Sequence, residues 1–93
     1  MNGQAAQAVT ADGSASIQRA LDRDLLAAHA ADDAGSLVVL YRQAGAAREQ
    51  AGDIDAACFF YTHAYVFALE SGHAAASELL DVLVRYGRDA RQA

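Results

Sequence analysis

Hydrophobic residues recur every three or four positions along most of this 93-residue chain, a spacing typical of one face of an α-helix. The first such stripe is formed by Ile17, Leu21, Leu25 and Ala28. Charged residues occupy the other faces of this segment, and Ser14 or Ser16 could cap its start by accepting a hydrogen bond from a free backbone N–H. The pattern predicts a first helix over about 16–31.

A second helix is predicted over about 33–51. Asp32 or Asp33 stands at its start, where a carboxylate can cap free N–H groups and suits the positive end of the helix dipole. One side of this helix carries Leu37, Leu40, Tyr41, Ala44, Arg48 and Ala51. The following Gly52-Asp53 indicates a turn, because glycine readily adopts positive φ and aspartate can cap the next helix.

The stretch AGDIDAACFFYTHAYVFALESG contains most of the aromatic residues of the chain and predicts a third helix over 54–71. Its narrowest apolar stripe is Ala57, Phe60, Ala64, Phe67 and Ala68, which Ile54, Cys58, Tyr61 and Tyr65 extend. The apolar arc covers more than half of the helix circumference, wider than the ~100° of an ordinary surface helix. We therefore expect this to be the central helix, with a neighbour on each of two sides.

A fourth helix is predicted from about 73 to 87, after the stop signal Ser71-Gly72. Its inward positions are Ala76, Leu79, Leu80 and Leu83. Alanine supplies about a quarter of the chain and proline is absent, a composition that favours helix over sheet. The predicted fold is all-α, with three to four helices in antiparallel hairpins. It forms a single domain over 14–87, between a flexible tail at 1–13 and a polar tail at 88–93.

The charge balance excludes some classes of partner. Seven basic residues, all arginine, are scattered among twelve acids, and the formal net charge is −5. Binding to phosphate backbones or to an anionic membrane surface requires clustered basic residues. No segment approaches the ~18–20 apolar residues of a membrane span. We therefore expect neither a nucleic-acid nor a membrane partner, and the lone Cys58, within an apolar run, is typical of the reducing cytoplasm.

Candidate chemistry is sparse. His29, His63 and His73 are too scattered for a ligand set, although His29 with Asp32 or Asp33 approximates metal-ligand spacing. Cys58 lies on the apolar side of the third helix, where a buried thiol is a poor nucleophile. No phosphate-binding loop or catalytic triad order is visible. We expect no metal, no cofactor and no enzyme activity, and a metal- or thiol-dependent enzyme is kept as the second alternative function.

The pairing of the second and third helices resembles a tetratricopeptide repeat, a helical hairpin of ~34 residues with small residues where its helices cross. The repeat would cover 38–71. Its matching positions are Tyr41, Ala44, Gly45, Ala57, Tyr61 and Ala64, with Gly52-Asp53 as the turn. Arg48 departs from the tyrosine of the family pattern, and the fourth helix matches only a truncated second repeat, after one inserted residue.

The resemblance implies a function in protein–protein interaction. Such repeats bind peptides along the concave side, which the first helix of each hairpin lines. Carried over to this chain, the concave positions are Val39, Arg42, Ala46 and Glu49. Ala46 stands where relatives that grip a C-terminal carboxylate have asparagine, which argues against that clamp. The leading hypothesis is a small adaptor or scaffold that binds a peptide or protein surface.

Phe59 and Val66 suggest an alternative. They lie two helical turns apart on the polar side of the third helix, away from its core stripe. Either the first helix folds over them, or they mark a contact surface for a partner or for a second copy of the chain. The alternative function is therefore a self-associating structural subunit that dimerises through 54–71.

Overall fold

The computed structural model describes the backbone of residues 2–88 and the side chains of residues 16–88. This part of the chain forms four α-helices and contains no strand, which confirms the predicted all-α class. The helices are α1 (Asn2–Ala30), α2 (Ala34–Gln50), α3 (Ile54–Ser71) and α4 (Ala76–Arg85). None of the helices in the described residues combines the length and apolar character needed to cross a bilayer.

Two aspartates and two glycines set the boundaries of α2 and α3. Asp33 caps α2 by accepting hydrogen bonds from the backbone N–H of Ser36 (3.2 Å) and from its hydroxyl (2.7 Å), and these bonds lower the pKa of Asp33. Asp53 caps α3 by accepting from Ala56 N–H at 3.1 Å. Gly52 and Gly72 adopt φ of 81° and 65°, which ends α2 and α3 respectively. The sequence located the α2–α3 turn and the end of α3 from these same residues.

Helix α1 differs from its prediction in extent and packing. It begins at Asn2 rather than near 16, because the preceding stretch is rich in alanine and contains no helix-breaking proline. The flexibility predicted for 1–13 stays a prediction. Among the α1 residues whose side chains are described, Ala28 is buried, whereas Ile17, expected on the inward stripe, is exposed. The polar tail predicted over 88–93 lies outside the described residues except for Arg88.

The core lies along α3. Helix α3 packs against α2 on one side and α4 on the other, while α1 packs against α2. The buried cluster that joins α2, α3 and α4 consists of Val38, Ala57, Cys58, Tyr61, Ala64, Ala68, Ala75, Leu79 and Leu83. Five of these nine residues come from α3 and three of the five are alanines, so the neighbouring helices can approach closely. The predicted central position of α3 is confirmed.

Helix α2 approaches α3 closely at Gly45. A Cβ atom placed there would lie 2.7 Å from two carbon atoms of the Tyr61 ring, nearer than real Cβ contacts come. The sequence predicted a close crossing at Gly45 and Ala57, and both residues are buried. The partner of Gly45 is the aromatic ring of Tyr61, which comes so close to α2 that a side chain at position 45 would have to displace it.

Candidate functional site

Two adjacent cavities run along the exposed side of α2 and share Val39 and His73. One, of about 690 Å³, lies between α1 and α2; the other, of about 340 Å³, lies between α2 and the segment that leads into α4. We call the two together the α2 trough. The lining residues used below are Ala31, Val39, Arg42, Ala46, His73 and Ala75.

Small side chains create the α2 trough. Ala27, Ala31 and Gly35 line its α1 end, and Ala46 and Ala75 line its α4 end, so the adjoining elements leave a depression that larger residues would fill. Val39 lies where the two cavities meet, and 48% of its surface is exposed. The apolar side chain of Val39 is therefore exposed to solvent in the middle of a groove with many small lining residues.

Six polar side chains line the α2 trough: Asp24, Asp33 and Ser36 at its α1 end, and Arg42, Gln43 and His73 toward α4. Arg42 donates a hydrogen bond to the Glu78 carboxylate and thereby links α2 to α4. The backbone N–H of Ala75 donates to His73 Nδ1 at 3.0 Å. Because Nδ1 acts as acceptor, the proton of the neutral imidazole is on Nε2, which is left as a hydrogen-bond donor at the trough.

Three of the four predicted concave residues, Val39, Arg42 and Ala46, line the α2 trough. The fourth does not. The Glu49 carboxylate accepts a hydrogen bond from the Tyr61 hydroxyl at 2.7 Å and another from the Tyr86 hydroxyl. Glu49 thus joins α2 to α3 and to the end of α4, and its role in the described structure is a structural one.

This carboxylate and the two tyrosines shift one another's pKa. The hydroxyls of Tyr86 and, secondarily, Tyr61 stabilise the ionised carboxylate and lower the pKa of Glu49. Burial and the hydrogen bond to Glu49 raise the pKa of Tyr61 to about 12. The same carboxylate raises the pKa of Tyr86. The contacts among α2, α3 and the end of α4 are therefore most favourable when Glu49 is ionised and both tyrosines are protonated.

Phe59 and Val66 lie on the face of α3 opposite its buried stripe, and both are exposed. The exposed fractions are 58% for Phe59 and 44% for Val66. Two shallow cavities that share Thr62 and His63 line this face. We call it the outer face of α3, made up of Asp55, Phe59, Thr62, His63, Val66 and Glu70. Of the two arrangements that the sequence left open, the structure shows the exposed one.

The end of α1 contacts an aromatic cluster centred on Tyr41 instead. His29 Nε2 lies 2.9 Å from the Tyr41 hydroxyl, and the His29 ring packs edge-on against Phe67 with 5.7 Å between centroids. Tyr41 also stacks on Phe60 and Phe67 and lies 5.0 Å from the His63 ring. The sequence placed Phe60 and Phe67 on the apolar stripe of α3, but it predicted neither His63 nor His29 as a neighbour of Tyr41.

Each histidine therefore has a protein hydrogen-bond partner, since His63 Nδ1 lies 2.9 Å from the Phe59 carbonyl oxygen. Within residues 16–88, no three His, Cys, Asp or Glu side chains are grouped so as to hold a metal ion. Cys58 is buried, as predicted, and the side chains of Cys58 and Asp55 raise the pKa of the adjacent Arg88. The pairing of Arg88 with Asp55 was not anticipated, because Arg88 was assigned to a tail.

No protein-family model, curated protein sequence or solved structure matches this chain.

Proposed function

We propose that this chain is a non-enzymatic protein–protein interaction module, a small tetratricopeptide-repeat-like adaptor that holds a segment of a partner protein in the α2 trough. The observation that carries the proposal is the half-exposed Val39, placed where two cavities join along α2. Binding sites commonly combine an apolar floor with polar groups that orient the ligand. The hairpin of α2 and α3 supports the repeat-like assignment, since Gly45, Ala57 and Ala64 are buried where that resemblance requires small residues.

The lining residues indicate the chemistry of the bound segment. An apolar side chain of the partner would pack on Val39 and Ala46, and His73 Nε2–H would donate to one of its backbone carbonyl groups. Arg42 already pairs with Glu78, so a free carboxylate on the partner would have to compete with that ion pair. Recognition would therefore depend on apolar contacts more than on a carboxylate clamp.

Because Cys58 is a buried free thiol, we propose a location in the cytoplasm for this module.

Val39→Asp is expected to weaken partner binding and leave the fold intact, because it puts a charge at the floor of the α2 trough on a residue that is already half exposed. The full-length protein, wild type or variant, would serve as bait in a pull-down analysed by mass spectrometry. A peptide from any retained protein would then be titrated into the same baits by calorimetry. Phe59→Asp is the matched control, since it adds the same charge at an exposed apolar residue on the outer face of α3.

The proposal expects a peptide that binds wild type and Phe59→Asp with similar affinity and binds Val39→Asp at least about tenfold more weakly, equivalent to 1.4 kcal/mol. Retention of the same peptide by Val39→Asp at wild-type affinity would exclude the α2 trough as the binding site.

A further inference from the structure

The outer face of α3 shares no lining residue with the α2 trough, so a contact there would be separate from the proposed adaptor function. Phe59 and Val66 are seven residues apart, which places them two turns or about 10.5 Å from each other along one line of the helix. Both are substantially exposed, and Thr62 and His63 lie between them. Exposed apolar strips of this kind on small proteins commonly mark contact surfaces.

The arrangement of this face is symmetric about its centre. Phe59 and Val66 are equally far in sequence from the midpoint between Thr62 and His63, and so are the acidic residues 55 and 70. A twofold interface between identical chains requires a surface that is complementary to itself. If a second α3 lies antiparallel across this midpoint, each Phe59 meets the Val66 of the other copy.

The charges at the two ends of the face complete this complementarity. The antiparallel register also brings Asp55 of one copy near Glu70 of the other, and two unpaired carboxylates there would repel each other. Arg88 removes the conflict, because its Nη2 lies 2.5 Å from Asp55 and its side chain lines the same cavity as Phe59. Each end of the paired helices would then have a guanidinium between two carboxylates.

We propose that a second copy of this chain docks antiparallel on the outer face of α3, with Phe59 of each copy packed on Val66 of the other and Arg88 of each facing Glu70 of the other. The contact extends over one helix of 18 residues, about 27 Å long. Such an interface falls at the small end of specific protein contacts, so the dimer is weak and depends on concentration.

Sedimentation equilibrium of the full chain over about 1–500 µM tests this directly. The expected result for wild type is a mass that rises from 9.7 kDa toward twice that value. Phe59→Asp should remain a monomer at every concentration, whereas the matched variant Val39→Asp should dimerise as wild type does. Circular dichroism would verify that both variants keep their helix content. A monomeric wild type, or equal dimerisation of the two variants, would overturn the proposal.

A charge exchange tests the register. Arg88→Glu places three carboxylates together and is expected to weaken the dimer at least about tenfold, whereas Glu70→Arg alone should change it by less than about threefold, because the new guanidinium meets Asp55 as well as Arg88 of the other copy. The double variant restores opposite charges across the interface and should return the dissociation constant to within about threefold of wild type. The antiparallel pairing would be contradicted if Phe59→Asp disrupts the dimer but the double variant of Glu70 and Arg88 does not regain the affinity of wild type. Because Val39→Asp and Phe59→Asp affect different surfaces, failure of this proposal is distinguishable from failure of the α2 trough.

Discussion

Gly45→Ala is expected to lower the free energy of unfolding by about 1–3 kcal/mol, the usual cost of overpacking a core. Helix propensity alone predicts the opposite sign, since alanine in a helix interior is favoured over glycine by ~1 kcal/mol. The steric effect prevails because the added Cβ would lie 2.7 Å from the Tyr61 ring. That ring cannot move aside freely, since it is buried and its hydroxyl is bonded to Glu49. For a domain with a typical stability of ~5–15 kcal/mol this is a large loss.

Urea denaturation of wild type and variant measures this difference. Gly35→Ala is the matched control, because Gly35 is also in α2 but a Cβ there comes no nearer than 3.8 Å to another atom, the Oδ1 of Asp33. The control should be neutral or stabilised by up to ~1 kcal/mol. Adding Tyr61→Leu should reduce the penalty of Gly45→Ala, and a double-mutant cycle would quantify that coupling. A Gly45→Ala variant more stable than wild type would show that α2 and α3 do not approach as closely as described.

Glu49→Gln is expected to destabilise the fold at neutral pH by about 1–2 kcal/mol. Hydrogen bonds to a charged group are worth ~1.5–3 kcal/mol, and we take a lower value because the carboxylate is only partly shielded from solvent. Glu49 accepts from two tyrosines that belong to different parts of the chain, Tyr61 in α3 and Tyr86 at the end of α4. Its neutralisation therefore weakens contacts among three helices together.

The pH dependence of this effect has a definite sign. The pKa of Glu49 is lower in the folded protein than its ordinary value of 4.5, so its contribution is fully present above pH 4.5 and is lost as the pH falls through the folded pKa. The difference in unfolding free energy between wild type and Glu49→Gln should accordingly shrink between pH 7 and pH 3. Glu70→Gln, which removes the same charge from the exposed outer face of α3, serves as the control. A difference that stays constant over this range would show that the two tyrosines do not bind the ionised carboxylate.

Local sequence signals were sufficient to predict the bounds of α2 and α3. The bounds of α3 follow from an aspartate cap before it and a glycine of positive φ after it, both readable from the residue types. The start of α4 was placed too early, at 73, since the backbone N–H of Ala75 bonds to the His73 ring and the helix begins only at Ala76. That bond depends on a side-chain orientation that helical periodicity does not determine.

The sequence could predict those candidate site residues whose exposure depends only on which face of a single helix they occupy. Val39, Arg42 and Ala46 share a face of α2 and line the α2 trough. Glu49 continues the same sequence spacing, but its carboxylate is engaged by a tyrosine 37 positions away. Arg88 likewise pairs with Asp55, 33 positions away. Pairings over such separations depend on how helices are arranged in space, which a repeat of apolar positions does not specify.

The central claim is that α3 is enclosed by α2 and α4, with the Tyr61 ring seated on Gly45 and Phe59 left outside. Nuclear Overhauser effects in the ¹³C,¹⁵N-labelled protein test it most directly. We predict cross-peaks from the Tyr61 ring protons to Gly45 Hα and from the methyl groups of Leu79 and Leu83 to buried α3 residues, with none from the Phe59 ring to α1. Absence of the Tyr61–Gly45 cross-peaks, or strong cross-peaks that join Phe59 to α1, would contradict this arrangement.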